Sequence, residues 1–292
     1  MSIGYAIRTY KPTRVIIVFD GKGGSQRRRK LYADYKNKKR NSICALRPDY
    51  YENVENEDEC RARQLVRLVQ YLECLPVGII SVDNIEADDT IAYITTDVLK
   101  EENTKITIMS SDRDFIQLVD NRIQVWSPTK KIIFDEDKVY ETYNISAKNF
   151  LTYRVLIGDV SDNIPGIRGA GDKTLKKYFP DLFEKNDFFS INDIFNIAKE
   201  RHREKKLYKT IKENEKQVML NVELMKLHDI EISGRTKLLI RDFVDKPINR
   251  LNKTKFLSYL LDDRISFGKS DPSDWLHRIF LPLDHYVTTQ IK

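Results

Sequence analysis

Short apolar runs alternate with longer stretches of helical periodicity through the first half of this 292-residue chain. Val15 to Phe19 is a continuous apolar run ending at Asp20-Gly21, the way a buried parallel strand meets its loop. Gly78–Val82 and Ile106–Met109 predict two more strands. Between them, Ile91, Ala92, Ile94 and Val98 predict a helix over 86–100, which makes a strand-helix-strand crossover. Leu65, Leu68, Val69 and Leu72 predict a helix over 61–75, and Ile123–Trp126 with Ile132–Phe134 predict a hairpin. Ser146 is expected to cap a helix running to about Ile157. From Gly158 onward the texture changes to Gly-rich turns and short helices. The pattern therefore predicts an α/β chain with a mostly parallel sheet flanked by helices, followed by a helical region, with the division at 147/148. Ile3, Ala6, Ile7 and Tyr10 have helical spacing, so the chain is expected to open on a helix with no strand in front of it.

Composition narrows the class. With 41% hydrophobic and 32% charged residues the chain reads as soluble and globular. The run Val15–Phe19 is the longest obvious apolar stretch, far short of the roughly 18 to 20 residues a membrane span needs. No apolar signal core opens the sequence. Cys44, Cys60 and Cys74 are an odd count without zinc-type spacing and are expected to be reduced thiols in a cytoplasm, bacterial or phage-infected.

The net charge of +6 hides a local imbalance. Lys22, Arg27, Arg28, Arg29, Lys30, Lys36, Lys38, Lys39 and Arg40 fall in one stretch with Asp34 as its only acid. Asp49, Glu52, Glu55, Glu57, Asp58 and Glu59 follow directly. A charge run is often just a solvated face. Tyr32 and Tyr35, interleaved with the cations, favour a surface for a phosphate backbone with bases or sugars nearby. A second basic stretch, 199–216, is diluted by Glu200, Glu204, Glu213 and Glu215 and reads as an exposed helix.

Acids recur at or just after the predicted strand ends: Asp20; Glu86, Asp88 and Asp89; Asp112 and Asp114; Asp159 and Asp162. Singly, each reads as a cap or surface residue, and Asp88 and Asp89 suit a first helical turn. Brought together they would repel and would need shifted pKa values or cations. Oxygen-only ligands point to Mg²⁺ or Mn²⁺, and two such ions about 4 Å apart are the usual device for phosphodiester hydrolysis. The glycines of Gly166-Ile167-Arg168-Gly169-Ala170-Gly171 would let backbone amides approach a phosphate at the start of a helix over 172–178, with Lys173 adding charge. An ordinary helix-helix connection is the other reading.

The segments Glu86-Ala87-Asp88-Asp89, Ser111-Asp112-Arg113-Asp114 and 158–171 resemble the 5'-3' exonuclease and flap endonuclease family, phage-type enzymes and the exonuclease domain of bacterial DNA polymerase I above all. The resemblance covers most of residues 11 to about 230, and the block 158–173 is its most specific part. It implies a PIN-like nuclease sheet over 1–147, with a basic helical arch at about 25–60. A helix-three-turn-helix DNA-binding module and a C-terminal helical region would occupy 148–292. It implies Asp20, Glu86, Asp88 and Asp112 around a first metal ion, Asp114, Asp159 and Asp162 around a second, and Asp89 as a lesser ligand. Lys36 and Arg40 would polarise the scissile phosphate. DNA contacts would come from Arg27, Arg28, Arg29, Lys30 and Tyr35 of the arch, and from Gly166, Arg168, Gly169, Gly171 and Lys173, where the family also binds K⁺ through turn carbonyls.

The sequence departs from the family at its start, where an Asp-Gly-x-Asn strand carrying a first-metal Asp is expected and none precedes residue 15. The expectation is therefore a metal-dependent, structure-specific 5' nuclease acting at 5' flaps, 5' ends or RNA primers on duplex DNA. The alternative is an impaired or split-gene fragment that binds flap DNA without efficient turnover. Expected partners are DNA, an RNA–DNA hybrid and replication proteins, with the chain monomeric and away from membranes. A PIN-type ribonuclease is disfavoured by the 158–173 block.

Overall fold

A computed structural model describes residues 2–37, 54–228, 231–268 and 270–289. The described chain forms two compact units: one from 1–19, 39–81 and 242–292, the other from 20–38 and 82–241. This partition interleaves along the sequence. The division at 147/148 rests on texture alone and stays a proposal.

In the first unit, helix α1 (Ser2–Tyr10) leads to strand β1 (Ile16–Asp20), whose β-branched run favours extended backbone. β1 pairs with β2 (Gly78–Val82). Helix α3 (Val54–Glu73) extends the expected 61–75 helix toward its N-terminus, so the described acids at its start belong to a helix. Helices α12 (Lys253–Asp262) and α13 (Pro272–Thr289) complete the unit. Its core joins Ile7, Leu72, Leu75 and Val77 to Phe256, Leu276, Phe280 and Leu283.

The second unit holds α2 (Gln26–Leu31), α4 (Ala87–Tyr93) and the sheet β3 (Ile106–Met109), β4 (Ile123–Ser127), β5 (Ile132–Phe134). β3 and β4 are parallel and β4–β5 is the expected antiparallel hairpin, with Trp126 opposite Ile133. The fold class is α/β, as expected. The helix expected over 86–100 is not uniform: α4 passes into a π-helical turn at Ile94–Val98. There Thr95 and Thr96 hydroxyls donate back to the Ala92 carbonyl at 3.1 and 2.9 Å and compete for its backbone bonds.

After α5 (Glu136–Tyr143), Asn144 takes a left-handed φ of 55° and ends the helix. Ser146 occupies the N-cap position of α6 (Ala147–Ile157), but its hydroxyl makes no capping bond and is buried without a partner, against expectation. A two-residue ribbon, β6 (Gly158–Asp159) with β7 (Ile164–Pro165), joins α6 to α7 (Asp172–Tyr178), which has its expected bounds. Helices α8 (Ile191–Glu200), α9 (Lys206–Glu213), α10 (Glu215–Met225) and α11 (Gly234–Asp245) follow. Among the described residues no helix is long and apolar enough to cross a membrane.

Candidate active site

Four short segments of the second unit supply the acids. Gly21 makes the first turn possible: a Cβ there would lie 1.7 Å from the Val82 carbonyl oxygen. Its N–H donates to the Ile85 carbonyl at 3.1 Å, which laces the loop after β1 to the loop after β2. Asp20 then accepts the Ala87 N–H at 2.8 Å and fixes the first turn of α4. Glu86 is the N-cap residue of that helix, with Asp88 and Asp89 in its first turn.

Glu86 and Asp89 are each only 3% exposed, and two buried carboxylates need positive partners. Helix α2 supplies one. Arg28, expected to face DNA, is itself 3% exposed. It donates to Glu86, to both oxygens of Asp89 at 2.8 and 2.6 Å, and to the Leu224 carbonyl at 2.8 Å. This corrects two expectations at once: Arg28 has no face left for a phosphate, and Asp89 is saturated by a bidentate guanidinium. Arg27 is half-buried, 3.9 Å from Asp89, while Arg29 and Lys30 are exposed.

Tyr35 also lies inside, 2% exposed, with its hydroxyl 3.2 Å from Glu86 Oε2 and 3.3 Å from Asp162 Oδ2. Burial, with Glu86 and Asp162 beside it, holds that hydroxyl far above the ordinary tyrosine range despite Arg28. It orders carboxylates and does not stack on a base. Lys36 follows in a left-handed conformation, φ 50°, its N–H donating to the Asp162 carbonyl at 2.9 Å. Its ammonium sits 2.9 Å from Glu86 Oε1 and 4.0 Å from Asp162 Oδ2. Burial alone would raise the Glu86 carboxyl, but Arg28 and Lys36 outweigh it and hold the group below its ordinary value. Arg40 and the 38–53 part of the expected arch lie outside the described residues.

Beyond β3, Asp112 accepts the Asp114 N–H at 2.8 Å and its own N–H donates to Ser110 at 3.1 Å, a tight turn that places both acids together. Burial and the neighbouring Asp112 push Asp88 up to about 7. Burial also pushes Asp114 up to about 7, against Arg154 and with Asp112 and Asp159 adding repulsion. Asp159 runs the other way: Ser161 and Arg154 bind its charged form and overcome burial. Asp162 is raised by burial with Asp159, Asp112 and Glu86 near it, Lys36 opposing. Tyr35 and Lys36 join Glu86 to Asp162, and the Asp162 N–H reaches Asp159. Arg154 joins Asp159 to Asp114, and the tight turn joins Asp114 to Asp112, so these acids form one patch, with Asp88 beside Asp112.

The 158–171 block divides into two parts. Gly158 has φ 75°, and a Cβ on it would fall 2.3 Å from the Gly166 nitrogen. A Cβ on Gly166 would fall 2.1 Å from the Ile157 carbonyl oxygen. Gly166, expected to approach a phosphate, instead lets the ribbon close on the end of α6. Beyond it Arg168, Gly169, Gly171 and Lys173 are exposed, with Gly169 at φ 91° and open space around Gly171.

Three residues were not anticipated. Arg154, 5% exposed on α6, donates to Asp114 at 3.0 Å and to Asp159. A lone arginine within the apolar run Phe150 to Leu156 was the available signal. Asn221, fully buried, donates to the Val155 and Pro165 carbonyls at 2.8 and 2.9 Å. Gln117 bridges the Asp114 and Met225 carbonyls at 2.9 and 3.0 Å. Both amides look like ordinary helix residues in sequence.

Among the described residues no three acidic, histidine or cysteine side chains close on a common point as a ready cation cage. Arg28, Lys36 and Arg154 take up oxygens that such a cage would use. The donor set itself fits a hard divalent ion: it is all oxygen, and the raised Asp88 and Asp114 mark a surplus of negative charge.

The family profile "5'-3' exonuclease, N-terminal resolvase-like domain" matches residues 2–144. A 5'-3' exonuclease of Buchnera aphidicola is 29% identical over 252 residues, 84% of this chain and 80% of the relative. A flap endonuclease Xni of Shewanella denitrificans is 32% identical over 192 residues, 65% of this chain and 66% of the relative. The bacteriophage T5 D15 flap endonuclease, crystallised as a pseudo-enzyme-product complex with DNA and metal ions, has a similar fold. Its TM-score is 0.59 at 18% identity, over 90% of this chain and 89% of that one.

Proposed function

Since the chain belongs to the 5'-3' exonuclease and flap endonuclease family, we propose that it is a divalent-metal-dependent 5' nuclease that hydrolyses phosphodiesters at 5' flaps, 5' ends or RNA primers on duplex DNA. The observation that carries this reading is the gathering of Glu86, Asp88, Asp112, Asp114, Asp159 and Asp162 from separate segments into one patch beside Lys36. Asp20, Glu86, Asp88 and Asp112 would hold one Mg²⁺ or Mn²⁺, and Asp114, Asp159 and Asp162 a second. Such ions lower the pKa of water and offset charge building on the phosphate and the leaving oxygen.

The remaining work falls to the chain's own residues. The Lys36 side chain is 34% exposed, so its ammonium can turn from Glu86 to a non-bridging phosphate oxygen. Tyr35 and Arg28 keep Glu86 oriented from beneath. Arg168, Lys173 and the exposed amides around Gly169 and Gly171 would grip the duplex backbone, with turn carbonyls open to K⁺. Arg29 and Lys30 would add charge to the strand that is cut. The products are a 5'-phosphate and a 3'-hydroxyl.

A labelled 5'-flap duplex with Mg²⁺ tests this: the chain cleaves it, and Asp112→Ala removes cleavage while keeping binding. Binding without cleavage at any protein concentration would leave the catalytic reading without support.

A further inference from the structure

The second group of acids carries a cation of its own. Arg154 lies on α6 with its guanidinium between two acids from different elements: Asp114, which opens the 3-10 turn after β3, and Asp159 in the ribbon. Nε and Nη2 each stand 3.0 Å from Asp114 Oδ1, Nη2 also donates to Asp159 Oδ2, and Nη1 donates to the Gly158 carbonyl at 3.3 Å. The fork is held rigidly. Its helix is buried at Tyr153, Val155 and Leu156, and Asn221 clamps the Val155 carbonyl at 2.8 Å. A planar guanidinium with several donors engaged is pre-organised to stay where it is.

A guanidinium bound to a carboxylate competes with a metal ion for its oxygens, and a positive charge between two acids opposes a divalent ion that would bridge them. We propose that Arg154 is a positioning residue and resident counter-ion at the second cation position. It holds Asp114 and Asp159 in place when no divalent ion is bound there, and it sets the concentration at which such an ion can take them. The inference rests on the nuclease reading above. It makes the two cation positions unequal: on the Glu86 side the buried Arg28 takes Oε2 and leaves Oε1 to Lys36, whose partly exposed chain can turn away, whereas on the Asp114–Asp159 side one buried fork engages both acids. An ordinary structural ion pair would have no such consequence. Its loss would weaken the fold and leave cation affinity alone.

Titration with Mn²⁺, followed by electron paramagnetic resonance, separates these outcomes in the full chain. Wild type is expected to show a tighter and a weaker class of sites, with the weaker class absent in Asp159→Asn. In Arg154→Gln the weaker class tightens by about tenfold or more, the effect of removing one charge a few ångströms from the ion. Arg154→Lys falls between. Thermal melts give the second readout: Arg154→Gln melts below wild type in EDTA, and millimolar Mg²⁺ raises it by more than it raises wild type. Should the Gln variant fail to fold in either condition, the Lys variant carries the titration. An unchanged or lost weaker class in folded variants, or a single undivided class in wild type, overturns the role of Arg154. Absence of any Mn²⁺ binding to wild type overturns the metal-dependent reading itself.

Discussion

Asp88 and Asp114, each pushed up to about 7, give the metal-free protein an unusual pH dependence. An aspartate in the unfolded chain loses its proton near pH 4. Between about 4 and 7 the native state therefore holds protons that the unfolded chain has released, and stability falls as pH rises through that window. Glu86 and Asp159, held below their ordinary values, act oppositely, but their contribution is lost only as pH falls below about 4. In EDTA the melting temperature should thus drop from pH 5 to pH 8. Saturating Mg²⁺, which needs the charged carboxylates, should flatten or reverse the drop. A melting temperature that rises over this range in EDTA would show that burial and Asp112 do not hold the two aspartates up as described. Arg28 permits a sharper test. Arg28→Ala strands Glu86 and Asp89 inside the protein and should cost about 3–5 kcal/mol in urea unfolding. Arg29→Ala, at an exposed position one residue away, should stay within about 0.5 kcal/mol. Equal effects would mean that Arg28 is no more than another surface cation.

The ribbon β6–β7 shows how backbone packing places the side chains of a site. Only glycine fits at Gly158 and Gly166, because each backbone presses on the other's neighbourhood, and the turn they permit carries Asp159 and Asp162. Gly166→Ala must move the Ile157 carbonyl or break the pairing, so it should destabilise by about 2 kcal/mol or more and displace Asp159 with the ribbon. Gly171→Ala meets nothing within 4 Å and has an ordinary φ of −85°, so its unfolding free energy should stay within about 0.5 kcal/mol of wild type. If the exposed turn does approach a phosphate, that same variant should still lose affinity for duplex DNA, measurable by fluorescence anisotropy. Unchanged anisotropy curves would remove Gly171 from the interface. The sequence could not separate these jobs, since Gly166 and Gly171 differ only in which backbone lies opposite. What was legible was local. The strands at 78–82 and 106–109 and the helix at 172–178 carry their signals in consecutive residues. The inward turns of Arg28 and Tyr35 depend on acids 51 to 127 residues away and that of Arg154 on acids 5 and 40 residues away, and no periodicity reports them.

At the scale of the whole molecule, a C-terminal helical region was expected from the resemblance, but nothing local in the sequence says what its helices pack against. In the structure Leu276, Phe280 and Leu283 join Ile7 and Leu72 in one core, so the first unit is assembled from the beginning, the middle and the end of the chain. The second unit has its own core, with Phe115, Phe150, Phe179 and Ile211 all 1% exposed or less. Each unit also holds one of the two tryptophans: Trp275 in α13, 5.2 Å from the Phe280 ring, and Trp126 in β4, 5% exposed. Trp275→Phe and Trp126→Phe therefore leave a fluorescent reporter in one unit each. Phe280→Ala opens a cavity in a fully buried cluster and should cost the Trp275-reported transition about 3–5 kcal/mol. Mg²⁺, whose proposed ligands all lie in 20–38 and 82–241, should raise the Trp126-reported transition. If the units unfold separately, neither change reaches the other reporter. Should both reporters move together under both perturbations, the chain folds as one cooperative block.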